Sequence, residues 1–256
     1  MYQPDLYDAV TPASFAGDTD WYRSKARESG GPVLELGSGT GRITLPLARD
    51  GIAVHALEAD ARMLDALRAK VSRQPLDVRD RITIVEGDMR HFELPERFAL
   101  AIAPFRVFLH NLTEVDQSAC LACVRQHLRP GGAFAFNIFH PSLEVMSRSA
   151  GPLTWAWRVV GVFDQPAGGW IVRSEATRYD TVRQRLHSLH RYEEYDAGGT
   201  LARTALHNLQ LAYLYRADIE RLLERAGFAS VRIAGGFDGR PFASDADELV
   251  IKARLA

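Results

Sequence analysis

The sequence predicts an α/β fold built on a parallel, doubly wound sheet, and three observations carry that expectation. Between Pro32 and Phe139, short apolar runs alternate with longer amphipathic ones. The short runs are apolar almost throughout, as in strands covered on both faces, rather than at every second residue. Successive strand and helix segments, with no tight hairpin between them, place consecutive strands parallel.

In chain order, VLEL (33–36), AVHALE (53–58), ITIVE (82–86), FALAIA (98–103) and AFAFNIF (133–139) read as strands. Residues 41–50, 60–72 and 113–128 have helical spacing. Thr113, with Asp116 three residues on, is suited to cap the third helix; Pro130-Gly131-Gly132 turns the chain into the next strand. Residues 140–169 read as irregular, with Trp155, Trp157 and Trp170 nearby. Three antiparallel strands are expected over 170–213, divided by YDTVR and by DAGGT, where Gly198 and Gly199 tolerate positive φ. A helix over Arg216–Ala226, stopped by Gly227, precedes two last strands, Phe228–Ala234 and Leu249–Arg254.

Composition narrows the function. A chain of 256 residues with 46% hydrophobic content can bury one large core, so a single domain (1–256) with an embedded subdomain over about 140–213 is expected. Lys+Arg number 31 and Asp+Glu 32, a net charge of −1 that lacks the basic field of a nucleic-acid binder. Met1–Val10 has no cationic start and apolar stretch, and no apolar run approaches the roughly 20 residues that span a bilayer. Cys120 and Cys123 form no disulfide framework. The expectation is a cytoplasmic protein with no nucleic-acid or membrane partner.

The sharpest motif is ELGSGTG (35–41), directly between the first strand and the first helix. Gly37, Gly39 and Gly41 permit a tight turn and close approach of a ligand, and a helix starting near Gly41 aims free N–H groups at the turn. A dinucleotide loop would have a glycine where Arg42 stands. Glu58, at the end of the second strand, is placed to accept hydrogen bonds from ribose hydroxyls. Gly87-Asp88-Met89 follows the third strand, and Ala-Pro-Phe-Arg-Val-Phe-Leu-His (103–110) leaves the fourth at the sheet edge where ligands bind.

In order and spacing these segments, with LRPGG (128–132), resemble the class I S-adenosylmethionine-dependent methyltransferases of small-molecule type. Among these, the chain resembles bacterial amino-sugar N,N-dimethyltransferases and glycine-type N-methyltransferases. The resemblance implies a Rossmann-like sheet of seven strands, mostly parallel with an antiparallel last strand, and makes the antiparallel insertion a lid. It implies S-adenosyl-L-methionine as cofactor, held by Glu35, Gly37, Ser38, Gly39, Gly41, Glu58, Ala59, Asp88, Met89, Ala103 and Phe105, with Tyr7 and Tyr22 folding over it. Asp88 would accept from the adenine amino group. His110 matches the position of a His in the amino-sugar enzymes and is the catalytic candidate, in contact with the acceptor; a His that merely packs beside the next helix is the plain alternative.

Methyl transfer is an in-line displacement that chiefly requires alignment and exclusion of water. Phe105 or Tyr7 would face the cationic donor, and His110 would take a proton from an amine acceptor. Arg106 offers a fork to an anionic acceptor or to the cofactor carboxylate, or else pairs with a neighbouring acid. A small-molecule acceptor methylated at nitrogen leads the expectations, with oxygen next; a nicotinamide-dependent oxidoreductase and a non-catalytic cofactor-binding protein are the other classes. The oligomer is expected to be a monomer or homodimer. Cys120, Cys123 and His127 share one helical stripe but fall short of the four ligands of a structural zinc site, so no metal is expected. His187 and His190 are expected on opposite faces of their strand.

Overall fold

A computed structural model describes residues 3–11, 17–148 and 155–255. Residues 1–2, at the head of the segment read for a signal, and 149–154, within the span read as irregular, lie outside the described residues. The chain divides into two compact units, Ala16–His140 with Leu214–Ala256, and Met1–Phe15 with Pro141–Tyr213.

The first unit is a seven-stranded sheet. Its strands are β1 (Val33–Leu36), β2 (Val54–Glu58), β3 (Ile82–Glu86), β4 (Phe98–Ala103), β5 (Leu128–Phe139), β10 (Phe228–Ala234) and β11 (Glu248–Leu255), in the spatial order β10-β11-β5-β4-β1-β2-β3. Only β11, the last strand, runs antiparallel to both neighbours. Val33, Val54, Leu100, Ile102, Ala133 and Ala135 from the central strands pack with Ile43 and Leu47 into one buried cluster, as the continuous apolar runs require. Around the sheet lie α2 (Asp18–Ser29), α3 (Thr44–Arg49), α4 (Ala61–Val71), α5 (Leu76–Arg79), α6 (Glu114–His127) and α8 (Arg216–Arg225). Asp60 caps α4, and Thr113 and Asp116 close a reciprocal capping box on α6. Gly227, at φ 87°, follows the end of α8.

Two boundaries differ from expectation. The helix expected over 41–50 is only Thr44–Arg49, because residues through Ile43 remain in the turn that Gly41 N–H closes on Ser38 O at 3.0 Å. Strand β5 begins five residues early, at Leu128, paired with Phe98 across a register shift.

The other unit holds a four-stranded antiparallel sheet, β6 (Arg158–Asp164), β7 (Trp170–Asp180), β8 (Arg185–Tyr195) and β9 (Leu201–Ala212), in that order, with α1 (Pro4–Val10) and α7 (Leu143–Arg148). Three of these strands match the sequence pattern. Strand β6 was read as irregular: it is an exposed edge carrying Gly161, and its Val159 and Val162 face solvent, so no buried alternation marks it. Leu6 and Val10 of α1 pack on Ile171 and Tyr192, and Arg203 joins Asp5 at 2.8 Å. Trp155 lies under the Arg178 guanidinium, Trp157 under that of Arg191, and Trp170 stacks on Tyr195 at 5.5 Å. These tryptophans pack within their own unit.

Candidate functional site

The candidate site gathers where β1, β2, β3 and β4 end. The glycine loop after β1 meets the end of β2 through Glu58: Gly39 N–H donates to Glu58 Oε2 at 2.8 Å, while Ala59 and Asp60 N–H donate to Oε1, each at 2.9 Å. A carboxylate offers about four lone-pair sites. Three are used, so Glu58 can take one more hydrogen bond without rearrangement.

The three glycines are not equivalent. All have positive φ (62°, 58° and 87° for Gly37, Gly39 and Gly41). A Cβ on Gly37 would fall 2.6 Å from Val107 Cγ1, and one on Gly41 would fall 2.5 Å from Leu67 Cδ1. Close approach by protein, the loop after β4 in one case and α4 in the other, requires glycine at these two positions. Gly39 faces open space, with nothing within 4 Å of its would-be Cβ. Beside it Ser38 is buried and its hydroxyl has no partner among the described residues, an arrangement that leaves a polar group and a cleared face for a bound molecule.

Glu35 lies beneath this loop, 1% exposed, with Oε2 accepting from Thr44 Oγ1 at 2.6 Å. Burial pushes its carboxyl up to about 8, against the Thr44 hydrogen bond and the nearby Arg42 charge. Glu35 supports the loop from inside the core. Arg42, which stands where a dinucleotide loop has glycine, grips buried Asp18 with two hydrogen bonds of 2.8 and 2.6 Å and lies 5.4 Å from the Phe105 ring.

After β3, Asp88 is half-buried and fastened by Arg90, whose backbone N–H and Nε each donate to Oδ1 at 2.9 Å. That pairing, with burial opposing it, holds the carboxyl below its ordinary value. Arg90 also reaches Asp116 Oδ1 at 3.0 Å. Met89 Sδ accepts from Asn111 Nδ2 at 3.3 Å, which ties the β3 loop to the residue after His110. Neither Arg90 nor Asn111 was singled out from sequence: the adjacency of Arg90 to Asp88 was visible, whereas the Met89–Asn111 contact spans 22 positions.

The loop after β4 leaves fully buried Ala103 and passes through Phe105 and Arg106 at φ 58° and 64°. Left-handed backbone at two successive non-glycine residues costs roughly 1–2 kcal/mol each. Such strain persists where surrounding contacts impose it, and it clusters at functional sites. Here the contacts are explicit. Arg106 Nε and Nη2 donate to the two oxygens of Glu248 on β11, at 3.0 and 2.6 Å, and its guanidinium lies 5.2 Å from the Phe139 ring. Asn137 Nδ2 donates to Oε1 of the same Glu248 at 2.6 Å, and Asn137 Oδ1 accepts from the Tyr22 hydroxyl at 2.8 Å.

Arg106 has its fork on Glu248, the ion-pair alternative that the sequence left open. Tyr22 is fully buried, with its hydroxyl on Asn137. Burial, reinforced by the nearby Asp18 charge, drives its phenol well above the ordinary range. Tyr7 belongs to the other unit, half-buried on α1.

His110 ends the short 3-10 turn Val107–His110, exposed, and no described residue hydrogen-bonds its ring. Desolvation of the ring holds its pKa below the ordinary imidazole value. His127, by contrast, is closed off: Nε2 accepts from Leu94 N–H at 3.0 Å and Nδ1 donates to Cys123 O at 2.8 Å. Cys123 Sγ bonds to the backbone of Phe92. Cys123 and His127 therefore fasten α6 to the segment before β4. On β8, His190 faces His207 of β9 while His187 faces Gln210, which places the two β8 histidines on opposite faces.

Residues 33–132 match a family model described as a methyltransferase domain. Over 262 residues, 98% of each chain, the protein is 25% identical to a cypemycin N-terminal methyltransferase of a Streptomyces species. The structure of the CcbJ methyltransferase from Streptomyces caelestis superposes with TM-score 0.74 at 26% identity, over 94% of this chain and 90% of that one. The glycopeptide N-methyltransferase MtfA, in complex with S-adenosylmethionine, gives TM-score 0.56 at 29% identity, over 91% and 87% of the two chains.

Proposed function

The chain belongs to the class I S-adenosylmethionine-dependent methyltransferases of small-molecule type, and on that premise we propose that it methylates a nitrogen of its acceptor with His110 as the proton-accepting residue. His110 carries the proposal. An amine attacks only through its neutral lone pair, so a proton must leave before or during transfer. An exposed imidazole with lowered pKa and no hydrogen bond from a described residue is able to receive it. The cypemycin enzyme and MtfA, both named for methylation at nitrogen or at an N-terminus, support the choice of nitrogen.

The donor brings a methyl group already activated by a positively charged sulfur. The open face at Gly39 and the unpartnered Ser38 hydroxyl fit that ligand. In this reading Ser38, Gly39 and Ala59 line the donor, Glu58 gives its remaining lone-pair site to a ribose hydroxyl, and Asp88 accepts from the adenine amino group while Arg90 keeps it ionised. Met89, Ala103 and Phe105 pack around it. Gly37, Gly41 and Glu35 shape the loop from the protein side.

Calorimetric titration with S-adenosylmethionine and its demethylated product, on wild type and on Glu58→Ala and Asp88→Ala, tests the donor site. Weakening by about tenfold, near 1.4 kcal/mol, in either variant is expected. Single-turnover methylation of a panel of small amines and phenols then tests the acceptor atom. His110→Asn is expected to bind donor as wild type does while losing turnover and the acidic limb of its pH profile. Product methylated only at oxygen, or a His110→Asn rate equal to wild type, would refute the proposal.

A further inference from the structure

At the opposite end of the sheet from the glycine loop lies a cavity of about 200 Å³, lined by Lys25 and Glu28 of α2, Ala99 and Leu100 of β4, Arg129–Ala133 at the start of β5, and Lys252 and Arg254 of β11. The LRPGG segment, to which the sequence assigns only a structural role, thus forms one wall. Six residues of β4, about 20 Å at roughly 3.3 Å each, separate this end from the loop that carries His110.

The charge in this cavity is one-sided. Four cationic side chains meet one carboxylate, in a protein whose charges otherwise nearly cancel. Glu28 is shared by Lys25 and Lys252. Arg129 spends Nε on the Arg97 carbonyl at 2.9 Å. Among the described residues, no carboxylate lies within ion-pair distance of Arg129 or Arg254. Gly131, at φ 70°, leaves open space where a side chain would stand, so the backbone wall is accessible. Two guanidiniums and two ammoniums that share one carboxylate around a polar recess create a potential that favours a multiply charged anion, and guanidinium forks match phosphoryl oxygens. The volume sets the size: pockets that enclose drug-sized ligands measure about 300–1,000 Å³, and this recess is smaller, a size suited to one or two phosphoryl groups rather than a whole nucleotide.

We propose that this recess, formed by Lys25, Arg129, Lys252 and Arg254, is a binding site for a phosphate-type polyanion, separate from the donor site and not involved in methyl transfer. The inference does not depend on which atom of the acceptor is methylated. The anion is either a free phosphate or diphosphate, or a phosphoryl group on a larger molecule that the enzyme grips at this end.

Calorimetry on the full-length protein decides it, with inorganic phosphate, pyrophosphate and a phosphoserine peptide as probes and sodium chloride at matched ionic strength as control. Saturable binding of at least one phosphoryl probe is expected, weakened by about tenfold or more in Arg129→Ala/Arg254→Ala. In that variant S-adenosylmethionine affinity is expected to be unchanged, which verifies folding. Tighter binding of pyrophosphate identifies a free ligand, and tighter binding of the peptide a carried one. Equal affinity in wild type and variant, heats no larger than those of chloride, or no saturation by about 10 mM (about 2.7 kcal/mol) overturns the proposal. Loss of donor binding in the variant is met by repeating the titration with Arg129→Gln/Arg254→Gln, which removes the charge and keeps most of the side chain; weakened phosphoryl binding in that folded variant supports the site, and affinity equal to wild type rejects it.

Discussion

The loop after β1 and the loop after β4 both pass through left-handed backbone, the first on Gly37, Gly39 and Gly41 and the second on Phe105 and Arg106. Glycine adopts that conformation freely, so the first loop needs no external clamp and uses the absence of side chains to nest against Val107 and Leu67. The second loop pays for its strain with contacts: the Arg106–Glu248 pair, the Phe139 ring beneath Arg106 and the Arg42 guanidinium beside Phe105. Their charges differ in the same way. Glu35, under the first loop, is buried with a hydroxyl for its hydrogen-bond partner, whereas Arg106 in the second meets a carboxylate that also serves Asn137. The lesson is that one loop is fixed by local composition and the other by tertiary contacts, and the two should respond differently to substitution.

The largest contrast expected is in pH dependence. The Glu35 carboxyl is raised to about 8 from 4.5, so between those values the folded protein holds a proton that the unfolded chain releases. Its contribution to stability is full below the unfolded pKa and is lost as pH rises through the folded one. Stability should therefore fall with rising pH across that window, by up to about 1.4 kcal/mol per pH unit. Glu35→Gln should flatten the slope, as read by urea denaturation at pH 5.5, 7 and 8.5. A slope identical in variant and wild type would mean that Glu35 is ionised in the folded protein.

Next comes Gly37→Ala, where strain and overlap with Val107 combine to cost about 3 kcal/mol. Val107→Ala in the same chain should restore the steric part, giving a favourable coupling in the double-mutant cycle. Purely additive losses would show that the loops do not press on each other.

These loops also separate what the sequence reveals from what it conceals. Strands β1 to β4 and the pairing of β7 to β9 follow from apolar runs and turn residues within a few positions, and the glycine motif marks the donor end of the sheet. The division of labour among its glycines is invisible there, because Val107 and Leu67 lie far along the chain from Gly37 and Gly41. Arg106 is likewise matched to an acid 142 residues away, so its fork reads equally well as a ligand for an acceptor. Strand β6 escaped because its valines face solvent and leave no alternation to detect.

Breaking the clamp on the second loop is expected to cost somewhat less than the Gly37 overlap. Glu248→Ala leaves Arg106 and Asn137 Nδ2 without their acceptor, and Arg106 is about a third exposed, so water recovers part of the loss. Stability should fall by about 2 kcal/mol. Turnover should fall as well, with donor affinity little changed, because the loop that presents His110 loses its anchor. Stopped-flow binding alongside single-turnover rates separates the two, and an unaffected rate would confine the pair to a structural role.

Gly39→Ala should have the smallest effect on stability and the most selective effect on function. Its added methyl meets nothing within 4 Å, so only the left-handed backbone at φ 58° is penalised, by about 1 kcal/mol. The same methyl projects into the cleared face beside Ser38, where the donor is proposed to lie. Affinity for S-adenosylmethionine should therefore drop by about tenfold or more, near 1.4 kcal/mol, although the fold is hardly disturbed. Gly37→Ala would show the reverse balance, a large stability loss with donor affinity reduced only in proportion to unfolding. If both variants lose affinity and stability in parallel, the glycines act as one turn and the distinction between a protein-facing and a ligand-facing glycine fails.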